Sequence, residues 1–105
     1  MIIDERSPQP LIEEQKAGQL AELFRALSDP GRLRIIAALL EGEKNVSTLA
    51  ELVGPSESAI SHQLRTLRQL RLVRTRKQGR EVFYALDDDH VADLFRRGLD
   101  HVLHG

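Results

Sequence analysis

The feature that most constrains this chain is the break at Gly54-Pro55-Ser56. A short apolar-periodic run, Val46 to Val53, ends there, and a second run begins at once and continues to about Gln69. Glycine suits a helix C-terminus, and serine accepts a hydrogen bond from the free amides of the next helix. A short helix, a tight turn and a second helix predict a helix-turn-helix. In the second helix Ile60, Leu64 and Leu67 share one narrow stripe and point inward. Opposite them fall Ser58, Ser61, His62, Arg65 and Gln69, with Ser56 as the N-cap. These short hydroxyl, imidazole, guanidinium and amide groups reach base edges and phosphates. An ordinary solvated face has the same composition, so the flanking segments must decide.

The segment after this helix is basic and alternates with the period of strands. Leu72-Val73-Arg74-Thr75-Arg76-Lys77 and Arg80-Glu81-Val82-Phe83-Tyr84-Ala85-Leu86, joined at Gln78-Gly79, predict a β-hairpin with Arg76, Lys77 and Arg80 at its tip. From Pro55 to Tyr84 seven basic residues stand against two acids, a net +5, whereas the remainder carries −6. A basic middle on an acidic chain is the footprint of a nucleic-acid face, and a projecting basic loop adds salt-dependent grip on phosphates.

Upstream, Ile12, Lys16, Leu20, Leu23, Phe24 and Leu27 predict a helix from Leu11. Ser28-Asp29-Pro30-Gly31 stops it and starts the next, with Asp29 as N-cap and Pro30 at the first helical position. That second helix is expected to turn Leu33, Ile36, Leu39 and Leu40 inward and to end near Gly42. Met1 to Pro10, with two prolines and no periodicity, reads as a loose arm. Residues 11–105 then form one mainly α (α+β) domain, a winged helix-turn-helix of about five helices and a two-stranded wing that binds DNA and dimerises.

The last helix, from Asp88-Asp89-His90 to His104, holds three of the chain's four histidines. Val91, Leu94, Phe95, Leu99, Val102 and Leu103 give it an apolar face, more than one small core buries. His90 and His101 stand roughly 16 Å apart along the axis on nearly one face, too far for a single ion. Asp88 with His90, and His101 with His104, instead make two half-sites. Two such helices packed antiparallel in a homodimer bring each front pair to the other chain's back pair. That yields two four-ligand sites. Helix-end electrostatics alone also favours acids at a start and histidines at an end. The chain has no cysteine, so any metal is held by His and carboxylate, which suits zinc, cobalt or nickel.

No apolar run is long enough to cross a membrane and no basic, apolar N-terminal signal is present, so the cytoplasm is the default location. A zinc hydrolase needs an open coordination position, which four protein ligands do not leave. A metal buffer without operator affinity is the third class to separate by experiment.

Ser61-His62-Gln63-Leu64-Arg65, Leu70-Arg71-Leu72-Val73, Arg76-Lys77-Gln78-Gly79-Arg80 and Tyr84-Ala85-Leu86, with Leu27-Ser28-Asp29-Pro30 and Arg32-Leu33, resemble the ArsR/SmtB family of metal-responsive winged-helix repressors. The resemblance covers roughly Leu20 to His104. One subgroup carries cysteine ligands around the position of Asn45, and here they are absent. Another binds zinc between the C-terminal helices of a dimer, and Asp88, His90, His101 and His104 match its spacing, with histidine at the last place where some relatives have glutamate. The resemblance implies a homodimer joined through its first and last helices that binds double-stranded operator DNA without metal. Zn(II), or alternatively Co(II) or Ni(II), then releases it from an efflux or sequestration gene. It also implies that the second ring nitrogen of His101 bonds a backbone carbonyl near Arg71. The rival reading within the class is a winged-helix regulator with a vestigial metal site and another inducer.

Overall fold

Side-chain caps set where four of the five helices begin. The computed structural model describes residues 11–105, so the expected N-terminal arm, Met1 to Pro10, lies outside the described residues. Helix α1 spans Glu14–Leu27 and α2 spans Pro30–Leu39. Asp29 separates them, accepting from the Arg32 amide at 3.0 Å, with Pro30 in the first turn. Helix α3, Val46–Val53, starts under Asn45, which accepts from the Thr48 amide at 2.9 Å. Gly54 closes it at φ 50°, its N–H bonding Ala50 O at 2.7 Å. Helix α4, Glu57–Gln69, starts under Ser56, whose Oγ accepts from the Ala59 amide at 3.1 Å. Each such cap is worth about 1 kcal/mol.

Helix α1 is the exception. Its N-cap Glu13 makes no side-chain bond, and the helix starts three residues later than the periodicity predicts. Leu11 and Ile12 are 84% and 57% exposed, so no packing holds them in a further turn.

Strands β1, Val73–Gln78, and β2, Glu81–Leu86, pair antiparallel with Val73 opposite Leu86 and Gln78 opposite Glu81. The turn is therefore Gly79-Arg80, one residue beyond the predicted joint. Gly79, at φ 61°, supplies the left-handed residue that a two-residue hairpin requires. Lys44 joins the hairpin as a one-residue third strand, exchanging backbone hydrogen bonds with Tyr84 at 3.0 and 2.8 Å. Helix α5, Asp89–His104, starts under Asp88.

The core forms where α2, α3 and α4 meet the hairpin. Ile35, Ile36, Leu49, Leu64 and Leu67 are wholly buried, with Leu39, Ile60, Leu72 and Val73 around them. Burying each large aliphatic contributes about 1.5–3 kcal/mol. Ile36 and Leu39 point inward as predicted, but Ile35 takes the core place expected of Leu33 and Leu40, which are half-buried. Helix α2 contacts α1, α3, β2 and α5, so its buried arc is wider than a single stripe and rotated from the one read off the periodicity.

Candidate nucleic-acid interface and metal half-sites

The core contacts of α4 leave its opposite side outward. Ser58, His62, Arg65 and Gln69 are exposed and Ser61 is half-buried, all within about 100° of arc at 3.6 residues per turn. Ser56 keeps its hydroxyl proton free to donate while its oxygen serves the cap. The helix is fixed from behind by Arg32, whose Nε donates to Gln63 Oε1 at 2.8 Å and whose Nη1 donates to the last turn of α1 at Ala26 O, 3.3 Å away. Sequence reasoning missed this tie. Its only signal was a half-amphipathic arginine three residues after the Asp29 cap.

At the wing the three predicted cations part company. Arg80 stands in the turn, and Lys77 lies on the opposite ribbon face from Arg76 by strand alternation. Arg76 does not project. Its guanidinium forks onto Glu43, Nε lying 3.1 Å from each carboxylate oxygen and Nη2 closing the pair, and it lies over Phe83 with 5.0 Å to the ring centroid. The hydrogen bond from Arg76 holds the Glu43 carboxyl below its usual value, desolvation opposing and the charges of Arg76 and Arg74 adding to the shift; reciprocally, Glu43 raises Arg76. Nothing local in the sequence marks a pair separated by 33 positions.

The four metal-ligand candidates sit at the two ends of α5. Asp88 is the N-cap: Oδ1 accepts from the amides of His90 and Val91 at 2.9 and 3.2 Å. Its other oxygen, Oδ2, is 3.5 Å from His90 Nδ1. Two ligands of one tetrahedral ion with bonds of about 2.0–2.1 Å stand roughly 3.4 Å apart, so this pair has the separation of a tetrahedral edge. His101 and His104 are exposed in the last turn, on nearly the same side as His90. Among the described residues no three His, Asp or Glu side chains converge within the chain, so the four remain two pairs. Beside them the apolar face is uncovered: Leu94, Leu99, Val102 and Leu103 are exposed, as are Leu20 and Phe24 of α1. Phe24, Leu27, Leu33, Val91, Phe95 and their neighbours line an open groove of about 530 Å³.

Between α4 and β1, Arg71 adopts φ 60°, a left-handed conformation uncommon outside glycine, its N–H bonding Arg68 O at 3.0 Å. Further along, Arg74 Nη1 donates to the carbonyls of Leu86 and Asp87 at 2.8 and 2.6 Å, tying β1 to the two residues before Asp88.

Five helices with a two-stranded wing, a polar outward face on the second helix of a helix-turn-helix and cations at the wing define a winged helix-turn-helix regulator. A family model described as bacterial regulatory protein, arsR family, matches residues 29–75. A transcriptional repressor SmtB homolog from Synechocystis sp. is 49% identical over 98 residues, 92% of this chain and 74% of that protein. The HTH-type transcriptional regulator NmtR of Mycobacterium tuberculosis is 42% identical over 92% of this chain and 81% of its own length. The solution structure of apo-NmtR superposes with a TM-score of 0.78 at 40% identity, covering 98% of this chain and 87% of that one. A homodimeric winged helix-turn-helix DNA-binding domain from Mycobacterium bovis superposes with a TM-score of 0.73 at 30% identity, over 90% of this chain and 89% of that one. The chain belongs to the ArsR/SmtB family of transcriptional regulators, and it is not an enzyme. No helix among the described residues is long and apolar enough to cross a membrane.

Proposed function

We propose that this chain is a metal-sensing transcriptional repressor that binds operator DNA as a metal-free homodimer. Zn(II), with Co(II) and Ni(II) as alternatives, is bound between the C-terminal helices of the two protomers and derepresses a metal efflux or resistance gene in the cytoplasm. The observation that carries the reading is the Asp88–His90 pair, set at 3.5 Å on the start of α5 and a helix length from His101 and His104. A donor set of three imidazoles and a carboxylate suits zinc. The exposed apolar faces of α1 and α5 support a dimer through those helices, and antiparallel α5 helices bring unlike half-sites together.

In this reading Ser56, Ser58, Ser61, His62 and Arg65 meet the major groove, while Arg76, Lys77 and Arg80 serve the wing's grip on the DNA backbone. Held by Asp88, His90, His101 and His104 across two protomers, zinc would supply a fixed dication. Asp88 and His90 are tied to the wing through Arg74, which donates to the carbonyls of Leu86 and Asp87. His101 has a second ring nitrogen to donate, and the turn at Arg71 is its proposed acceptor. Both links join α5 to elements that touch DNA.

Complementation between protomers tests the site. A protein lacking Asp88 and His90, mixed with one lacking His101 and His104, should regain one zinc per heterodimer although neither homodimer holds zinc tightly. Tight four-coordinate binding by either homodimer contradicts the shared site.

A regulator with a vestigial metal site is the second reading. It draws on the capping bonds of Asp88, which account for that residue without any metal. Loss of zinc binding in all four single variants separates the two, because a vestigial site gives no binding to lose.

A further inference from the structure

Three consecutive residues between α2 and α3 each touch a different point of the wing. Glu43 holds the guanidinium of Arg76 with both oxygens. Lys44 exchanges two backbone hydrogen bonds with Tyr84. Asn45 caps α3 with its oxygen and donates its Nδ2 to Glu81 at 3.3 Å. Glu43 and Lys44 thus fasten one strand each, and Asn45 links the wing to the first helix of the helix-turn-helix.

Arg76 is largely engaged within the domain. Of its five N–H groups, Nε–H and one on Nη2 go to Glu43, one on Nη1 goes to Gln78 at 2.9 Å, and Phe83 covers a face of the guanidinium. Lys77 and Arg80 have no ion-pair partner among the described residues. Three cations that look equivalent in sequence therefore differ in what they have left to offer a phosphate.

We propose that Glu43 and Arg76 are positioning residues for DNA binding: their pair sets the wing against the helix-turn-helix so that Lys77 and Arg80 reach the backbone, and Arg76 itself neutralises no phosphate. The proposal rests on the reading that the wing grips DNA. It has a consequence opposite in sign to simple electrostatics. Removing Glu43 deletes a negative charge from a surface that meets a polyanion, which alone strengthens binding. Loss of the seam weakens it.

Fluorescence anisotropy with a mixed-sequence DNA duplex over a salt series reads the difference, because the wing's contribution needs no particular sequence. Glu43→Ala and Arg76→Ala should each weaken binding by about two- to fivefold, the range of exposed ion pairs, with the same salt slope in the two variants. Arg80→Ala should lower that slope by about one. The exchanged pair, Glu43→Arg with Arg76→Glu, should recover affinity that Arg76→Glu alone loses. Tighter binding by Glu43→Ala, a slope lowered by Arg76→Ala but not by Glu43→Ala, or an exchanged pair as weak as Arg76→Glu overturns the proposal. If Lys77→Ala and Arg80→Ala leave affinity and slope untouched, the wing does not grip DNA, and the proposal falls with the reading beneath it. A measurement without DNA isolates the seam. Amide exchange at Lys44 and Tyr84 should quicken in Glu43→Ala while Leu64 and Leu67 stay protected, and unchanged exchange at the first two overturns the seam itself.

Discussion

Asp88 holds two parts of His90 with different oxygens: Oδ1 accepts from the His90 amide at 2.9 Å, while Oδ2 lies 3.5 Å from the ring nitrogen Nδ1. The capping bonds thus fix the carboxylate rotamer that leaves a free oxygen beside the imidazole. Asp88→Asn keeps an acceptor for the cap and should preserve metal-free stability while weakening zinc. Asp88→Ala should lose zinc and also about 1 kcal/mol of stability. Thermal denaturation without metal, beside a zinc titration, checks both. Equal destabilisation by the two variants would show that the charge, not the cap, matters there.

The recognition face and the wing tip should separate in their effects on DNA. Replacing Ser61 or His62 should chiefly erode discrimination between operator and random sequence, by about 1–3 kcal/mol for a lost base contact. Replacing Arg80 should weaken both duplexes alike. Equal losses on both duplexes from all three variants would mean that α4 reads no bases.

Dimerisation should depend on the uncovered side of α5. Leu99 is 42% exposed and Val102 79% exposed, on the edge of an apolar groove shared with α1 and α2. Leu99→Asp puts a charge into that face and should yield a folded monomer in sedimentation at micromolar concentration. A dimer unchanged by the substitution places the interface elsewhere.

The wing seam should respond to acid in one direction. Hydrogen bonding from Arg76 lowers the Glu43 carboxyl below its usual range, so the pair contributes fully above the ordinary carboxylate value and is lost as pH falls through the lowered one. The Arg76 Nε–H resonance should therefore stay constant at neutral pH and shift in acid, at a lower pH than an unpaired glutamate would give. A change near neutrality would assign the seam to another group.

The features legible in the sequence rest on local chemistry. Asp29-Pro30, Gly54 and Ser56 mark helix ends through bonds to residues three or four positions away, so the helix-turn-helix and its outward face can be read directly. Spacing along one helix likewise places Asp88 and His90 together. The features that escape it depend on packing between distant segments. Ile35 displaces Leu33 from the core because α2 is enclosed on several sides, and Leu11-Ile12 fail to extend α1 because nothing covers them. Arg76 has the spacing of a tip residue, yet Glu43, 33 positions earlier, holds it against the body of the domain.

Operator binding measured at one fixed salt concentration, with and without Zn(II), tests the central claim most directly. The metal-free dimer should bind its operator, and saturating zinc should weaken that binding by about 5- to 150-fold, the usual range of coupling between two sites on one protein. By linkage the operator must weaken zinc by the same factor. Affinity unchanged by zinc, in a protein shown to have bound it, would contradict metal-controlled repression.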